Sequence, residues 1–353
     1  MKRAGHLYER YVDRHNFEVA LVNASKKKMK RKSVVYCYEH KDEVYHRILE
    51  TTNCSGDYVR KTIRDVSSGK VRNILIPRFE PYQIMHHMIV NVAYPYLFRG
   101  AYRYSCGSIK DKGGLYASQY LRRSLSEDIK GTKWYCKLDI RHFYDNVDHA
   151  RLKAKFRRVI KDSRFLALMD SVVDSVEGGK GLPIGNYTSQ IFANYFLQDL
   201  DHYIKDTLKV PYYLRYMDDI ILLDSNKRKL ERKVKQVKDF LKKEGLETHG
   251  NEQVLEIGSN GDGGNFIDFV GYRHYRGTTT IRRRNFKRIR RCVIRCIRWI
   301  GHVPLFYLRR LFSYWGLIVH SDSWGFRSKY GLESALGALR IELKKENLLC
   351  KTN

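Results

Sequence analysis

Apolar and polar positions change their period several times along this chain. At residues 212–224, Tyr-Tyr-Leu-Arg-Tyr-Met-Asp-Asp-Ile-Ile-Leu-Leu-Asp, two short aromatic and aliphatic runs flank a polar pair, Asp218-Asp219. Run, break and run predict a β-hairpin with its turn at the break. Upstream, the apolar strand Trp134-Tyr-Cys-Lys-Leu leads into Asp139, and an aromatic pair, Phe143-Tyr144, follows. Between them a glycine-containing loop, Gly181-Leu-Pro-Ile-Gly-Asn-Tyr-Thr-Ser-Gln190, precedes a helical pattern at 191–201. Residues 227–244 predict a charged helix whose Leu230, Val234, Val237 and Leu241 are spaced for packing.

The remaining pattern is mainly helical. Residues 1–23 predict a short helix. Residues 34–53 predict an amphipathic one, with Val35, Tyr38, Val44, Tyr45 and Ile48 on broadly one side. Residues 80–98 carry an inner stripe of Ile84, His87, Met88 and Val92; 115–129 and 149–176 are also helical, the latter basic on one side. A turn at 67–72 leads into a strand at 73–77. A glycine-rich turn at 260–265 introduces Phe269-Val-Gly-Tyr-Arg273. From Ile281 a strongly basic stretch becomes a helix with Ile289, Val293, Cys296 and Ile297 inward. No internal repeat and no Pro- or Ser-rich linker divides the chain.

Charge narrows the classes. With 67 Lys and Arg against 38 Asp and Glu in 353 residues, the formal net charge is +29. A surplus of that size calls for a polyanionic partner, because neutralising phosphates drives nucleic-acid affinity. The basic run at 25–33 and the aromatic, basic, glycine-rich stretch at 102–114 suit contact with nucleic-acid phosphates and stacking on unpaired bases. A membrane partner is not expected, since no segment approaches the roughly eighteen apolar residues of a spanning helix. The N-terminus lacks the apolar core of a secretory signal, so a soluble, cytoplasmic protein is expected. The seven cysteines have no zinc-finger spacing and are expected to be reduced packing residues. The thirteen histidines form no hydrolase-like pair, and His86 and His87 are expected to be structural or RNA-facing.

An isolated Asp-Asp pair is ordinarily a solvated turn. Adjacent carboxylates on a buried hairpin repel, however, and a divalent cation such as Mg²⁺, which takes oxygen ligands, offsets that repulsion. Carboxylate strand, glycine loop with helix, and Tyr-Met-Asp-Asp hairpin, in that order, resemble the palm of a reverse transcriptase. The resemblance covers residues 70–330. It implies an α+β, right-hand polymerase fold: an N-terminal extension and fingers at 1–133, a palm with an antiparallel sheet at 134–275, and a short, basic helical thumb at 276–353. It also implies RNA-directed DNA polymerase activity by two-metal nucleotidyl transfer, with two Mg²⁺ ions held roughly 3.5–4 Å apart and Mn²⁺ as a substitute.

By the same resemblance Asp139 and Asp218 are metal ligands, Asp219 supports them electrostatically, and the Ile140 carbonyl completes one metal shell. Arg72 clamps the triphosphate with Lys70 in support, Arg offering a planar fork for phosphate oxygens. Tyr144, five residues after Asp139, is the steric gate against a ribose 2′-hydroxyl. Ile184, Gly185 and Gln190 line the nucleotide, with Gly185 letting backbone approach nucleotide or template closely. Val270, Gly271 and Tyr272 are the primer grip. Asp145, Asp148 and Asp224 sit off the motif positions and are expected to be structural.

Within the reverse transcriptases, Ile184-Gly-Asn-Tyr-Thr-Ser-Gln190 is most similar to those of diversity-generating retroelements: Ile184 replaces the usual polar residue and Gln190 the usual proline. Ser313-Tyr-Trp-Gly-Leu-Ile-Val-His320 resembles the short thumb of that family. The resemblance implies copying of a template-repeat RNA into adenine-mutagenised cDNA. The implied partners are a structured template RNA, the cDNA or primer strand, dNTPs and a small, basic, oligomeric accessory protein, in the cytoplasm of a bacterial or phage-infected bacterial cell. An apolar Ile184 cannot hydrogen-bond the incoming sugar or base, so geometry at the new pair is policed less strictly. One departure concerns the turn after the 227–244 helix, where many reverse transcriptases place a lysine as general acid; residues 245–253 contain none, which leaves protonation of the pyrophosphate unassigned, with His249 as a candidate. Neither RNase H-like carboxylates nor an HNH-type endonuclease is recognisable. Two alternatives stand beside this reading: another prokaryotic reverse transcriptase, of anti-phage defence or retron type, and a catalytically silent RNA-binding protein on the same scaffold.

Overall fold

A computed structural model describes residues 3–54, 58–64, 71–261 and 263–352, the side chains of Arg72 and residues 346–352 excepted. The single N-terminal helix expected is two, α1 (Leu7–Tyr11) and α2 (Arg14–Ser25), because the Asp13 carboxylate accepts the backbone N–H groups of His15 and Asn16 and starts a new helix. The amphipathic segment is likewise broken into α3 (Lys32–Glu39) and α4 (Lys41–Glu50) at His40, whose ψ of 44° is not helical. The break re-aims the apolar face: Val34, Cys37, Val44 and Ile48 are buried, and Val35 is exposed.

Strands β1 (Tyr58–Arg64) and β2 (Val71–Pro77) form an antiparallel ribbon, Tyr58 opposite Pro77 and Arg64 opposite Val71. The connection at 65–70, including Lys70, lies outside the described residues. Helix α5 (Ile84–Leu97) packs against α2 and α10 (Tyr187–Phe196) and is buried on most sides, so Met85, His86 and Ile89 join the expected stripe and His87 sits at its margin. His86 is 1% exposed, with Nδ1 3.4 Å from the Thr188 hydroxyl, and burial lowers its pKa to about 4. His87 stacks on Tyr187 at 4.4 Å and is also lowered to about 4, again chiefly by burial.

These shifts set an expected pH response. The unfolded imidazole titrates near its ordinary 6.5 and the folded His86 near 4, so the unfolded chain takes up the proton first. Stability is therefore intact above pH 6.5 and is lost as pH falls toward 4, with about 3 kcal/mol available from a fully buried group shifted this far. Thermal melts between pH 7.5 and 4.5 should show a falling Tm, and His86→Leu should flatten part of that slope.

After α5 come β3 (Ser105–Cys106), α6 (Gly114–Glu127), β4 (Trp134–Asp139), α7 (Phe143–Asn146), α8 (His149–Val159) and α9 (Ser163–Val173). The helical segment expected at 149–176 breaks between α8 and α9 because Asp162 caps α9 and also accepts the backbone N–H groups of Leu7 and Tyr8 at 2.7 and 2.9 Å. Helix α10 is followed by α11 (Gln198–His202), β5 (Tyr212–Tyr216), β6 (Asp219–Asp224), α12 (Lys227–Lys243) and β7 (Leu255–Glu256). The order β3-β5-β6-β4-β7 makes a five-stranded sheet. The sheet is mixed, not wholly antiparallel as expected: β4 and β7 run antiparallel, whereas β3 lies parallel to β5 with Ser105 opposite Arg215. Parallel neighbours need a long crossover, and the segment from α6 to α11 supplies it. Strands β8 (Ile267–Phe269), β9 (Tyr272–His274) and β10 (Thr279–Ile281) form a separate antiparallel sheet, and α13 (Arg283–Arg298), α14 (Leu305–Val319), α15 (Trp324–Lys329) and α16 (Leu332–Thr352) complete an α+β chain.

Two units interleave in sequence. One comprises Met1–Lys110, Leu138–Ile220 and Arg232–Glu252; the other comprises Asp111–Lys137, Ile221–Glu231 and Gln253–Asn353. The second has a helical core of Ile289, Val293, Cys296, Leu308, Leu311, Ile318 and Leu339, with Ile297 packed on its edge. Cys37, Cys54, Cys106, Cys136, Cys292 and Cys296 are buried and unbridged. Among the described residues no helix is long and apolar enough to cross a membrane.

Candidate active site

Strands β5 and β6 form the expected hairpin, but the turn falls one residue early, on Met217-Asp218, and Asp219 opens β6. Met217 takes φ 56°, a left-handed conformation seldom adopted by non-glycine residues. Strand β4 lies beside β6, and the Ile140 N–H just past it donates to the Asp218 carbonyl at 3.4 Å. The backbones of Asp139 and Asp218 are thus brought together at one end of the two neighbouring inner strands. Both Asp side chains of the hairpin are half-buried.

The segment after β4 is held from two directions. The Arg141 N–H donates to the Glu247 carbonyl at 2.8 Å, Ile140 bridges Thr248, and His249 Nε2 stands 3.4 Å from Asp139 Oδ2. The residue suggested as the stand-in for the absent lysine therefore reaches the first carboxylate. Both side chains are 43% exposed, so solvent screens the pair. From the other direction the glycine loop docks: Leu182 donates to the Tyr144 carbonyl and Gly181 to the Val147 carbonyl, each at 2.8 Å. Tyr144 is half-buried, edge-on to Phe143 at 5.8 Å.

The same loop meets the β1–β2 ribbon. Leu75 N–H donates to the Ile184 carbonyl at 2.8 Å, and Gly185, with φ 125°, is so close that a Cβ would lie 2.5 Å from the Leu75 carbonyl oxygen. The neighbour requiring glycine here is the backbone of β2. Gln190 is exposed on the first turn of α10 and accepts the Ser108 hydroxyl at 2.9 Å. Arg72 lies on β2 opposite Ile63, its side chain outside the described residues.

Val270, Gly271 and Tyr272 belong to the second unit. Val270-Gly271 is the β8–β9 turn, with φ 40° and 93°, and the Gly271 carbonyl accepts the Arg282 N–H at 2.9 Å. Tyr272 is buried, its hydroxyl 3.4 Å from the Gly316 carbonyl. Of the other aspartates, Asp148 caps α8 through the Arg151 N–H, Asp224 is buried and accepts the Asn226 N–H, and Asp145 lies 3.3 Å from His142.

One group of residues escaped the sequence reading. Behind the hairpin turn, Arg215 and Asp201 form an ion pair in which both side chains are 0% exposed, with Asn194 and Tyr213 beside it. A lone Arg inside an otherwise apolar strand was its signal, since a buried charge needs a partner. Its partner could not be named from spacing.

Among the described residues, no three His, Cys, Asp or Glu side chains gather into a metal cage of their own. The donors present still suit a hard divalent ion. Mg²⁺ is usually bound through one or two carboxylates, the rest of its shell coming from water and substrate phosphates, and two such carboxylate residues share this end of the inner strands.

Residues 63–251, more than half of the chain, match the family described as reverse transcriptase (RNA-dependent DNA polymerase). The chain belongs to the reverse transcriptase family, whose domains use divalent metal ions. It is 29% identical over 157 residues to an uncharacterized 91 kDa protein in a cob intron of Schizosaccharomyces pombe, covering 42% of this chain and 19% of that protein. It is 24% identical over 174 residues to protein YkfC of Escherichia coli K12, covering 45% of each. The chain therefore spans less than half the length of these curated relatives. Among solved structures, apo telomerase from Candida tropicalis, truncated from its C-terminal domain, aligns with 18% identity and a TM-score of 0.48 over 64% of this chain and 55% of that one. Telomerase from Candida albicans, in complex with a TWJ fragment of telomeric RNA, aligns with 14% identity and a TM-score of 0.47 over 88% and 65%.

Proposed function

We propose that this chain is an RNA-directed DNA polymerase that copies a template-repeat RNA into adenine-mutagenised cDNA for a diversity-generating retroelement. The observation that supports polymerase chemistry most directly is the Ile140–Asp218 backbone hydrogen bond, which sets two carboxylate residues from distant segments at one end of the inner strands of the sheet. Asp139 and Asp218 would hold the Mg²⁺ ions, for which Mn²⁺ would substitute; Asp219 would add negative potential and the Ile140 carbonyl a further oxygen. When bound, the ions stabilise the attacking and leaving oxygens of the displacement. Tyr144 excludes a ribose 2′-hydroxyl. Arg72 and Lys70 neutralise the triphosphate, Ile184, Gly185 and Gln190 border the nascent pair, and Val270, Gly271 and Tyr272 hold the primer end.

The retroelement assignment is supported by Ile184 and Gln190 at the two discriminating loop positions. It brings with it a structured template RNA, a primer, dNTPs, a small basic oligomeric accessory protein and a cytoplasmic location. The test is primer extension on the cognate RNA with dNTPs and Mg²⁺, followed by sequencing of the cDNA. Errors concentrated at template adenines are expected, and Ile184→Gln should lower them several-fold. Faithful copies would move the protein to the defence or retron-like class. Failure to incorporate nucleotides with either ion would leave a silent RNA-binding protein.

A further inference from the structure

Arg215 is a fully buried side chain in β5. Its Nε and Nη2 donate to Oδ1 and Oδ2 of Asp201 at 2.7 and 2.6 Å, a bidentate pair completed by the Tyr213 hydroxyl at 2.5 Å and the Ser105 hydroxyl at 2.6 Å. Burial alone would lower the guanidinium pKa; the Asp201 carboxylate more than reverses this, so Arg215 stays charged. The remaining nitrogen, Nη1, lies 3.0 Å from both the Asn194 side-chain oxygen and the Met217 carbonyl. Asn194 in turn donates to the Gly107 carbonyl at 2.8 Å and sits 3.0 Å from Met217 Sδ.

A buried ion pair is seldom kept for stability, because apolar or neutral replacements of similar volume often do as well. This one ends on the residue that precedes Asp218, and that residue is left-handed. Such a conformation persists only where its surroundings over-determine it. Arginine suits the task because its planar fork fixes three directions at once. Asn194 and Asp201 stand on α10 and α11, and α10 also carries Gln190, so one helical segment sets both the nucleotide loop and the hairpin turn.

We propose that Arg215, locked by Asp201 and Asn194, is a positioning residue that holds the Met217-Asp218 turn and thereby aims the Asp218 carboxylate; this deepens the polymerase reading and rests on it. The pair Arg215→Met with Asp201→Asn removes both charges and the bond to Met217; of the Tyr213 and Ser105 hydroxyls, which donate to different Asp201 oxygens, one keeps an oxygen acceptor and the other faces an amide donor that its own oxygen can accept. Three readouts apply: the melting temperature, hydrogen–deuterium exchange across residues 214–220, and extension kinetics as a function of Mg²⁺. Expected are a melting temperature within a few degrees of the parent, turn amides exchanging at least tenfold faster, and kcat lower by about 10- to 100-fold, the usual range for groups that orient metal ligands. The Mg²⁺ requirement should rise with little change in dNTP KM. A folded double variant with parental exchange and Mg²⁺ requirement overturns the proposal. Should the double variant melt early, Asn194→Ala, which leaves the ion pair intact, should show the same shifts in smaller measure, and parental values there overturn it equally. A parent that incorporates no nucleotide defeats the polymerase reading alone, and exchange at the turn still decides whether Arg215 holds it.

Discussion

Asp218→Asn is expected to lower nucleotide incorporation by about three orders of magnitude, roughly 4 kcal/mol of transition-state stabilisation, with a near-parental melting temperature. Asparagine keeps the shape and the hydrogen-bonding oxygen but loses the charge that a hard divalent ion requires. Because Asp218 and Asp219 are adjacent and half-buried, removing one charge relieves repulsion and should not unfold the hairpin. Asp139→Asn should do similar damage, since its backbone is held beside that of Asp218 through the Ile140 amide. Asp219→Asn should cost less, as its proposed role is electrostatic support. Single-turnover extension at saturating dNTP is the measurement. An Asp218→Asn rate within tenfold of the parent would remove that residue from the reaction.

Gly185→Ala should be the most damaging single methyl group in the chain's glycine loop. The added Cβ would stand 2.5 Å from the Leu75 carbonyl oxygen, and φ 125° is itself strained for any residue with a side chain. The obstacle is backbone, and it is pinned by the 2.8 Å bond from Leu75 N–H to the Ile184 carbonyl, so no side-chain rotation relieves it. A loss of about 2–4 kcal/mol in stability is expected, in the range of large backbone-strain and overpacking effects. Incorporation should fall at least tenfold, because the loop carrying Ile184 and Gln190 must move away from β2. Gly325→Ala, with nothing within 4 Å of the new Cβ, is the matched control and should be neutral or slightly stabilising. Parallel denaturation and extension assays separate the two effects. A Gly185→Ala protein with parental stability would mean that β2 is free to shift.

Legibility followed distance along the chain. The hairpin at 212–224, the strand ending in Asp139 and the packing stripe of α12 could be read because period-2 and period-3.6 patterns are local. The one-residue displacement of the turn reflects an external cause: the Met217 carbonyl is held by Arg215 and its N–H by the Cys106 carbonyl at 3.0 Å. The breaks within 1–23 and 149–176 leave only a short local mark in the sequence, the N-cap residues Asp13 and Asp162, inside patterns that otherwise continue as helix. At Asp162 the break also serves a remote purpose, since its carboxylate receives two amides of α1.

By itself the amino-acid order determined the chemistry on offer: carboxylates at 139, 218 and 219, a glycine where backbone must come close, and a charge of +29 that calls for a polyanion. Tertiary structure alone decided which groups meet. It set β2 against Gly185, His249 against Asp139, and Arg215 with Asp201 behind the Met217-Asp218 turn. Periodicity reports which face of an element is buried and says nothing of which distant atom fills the space beyond, so contacts between elements become readable only when the chain has closed on itself.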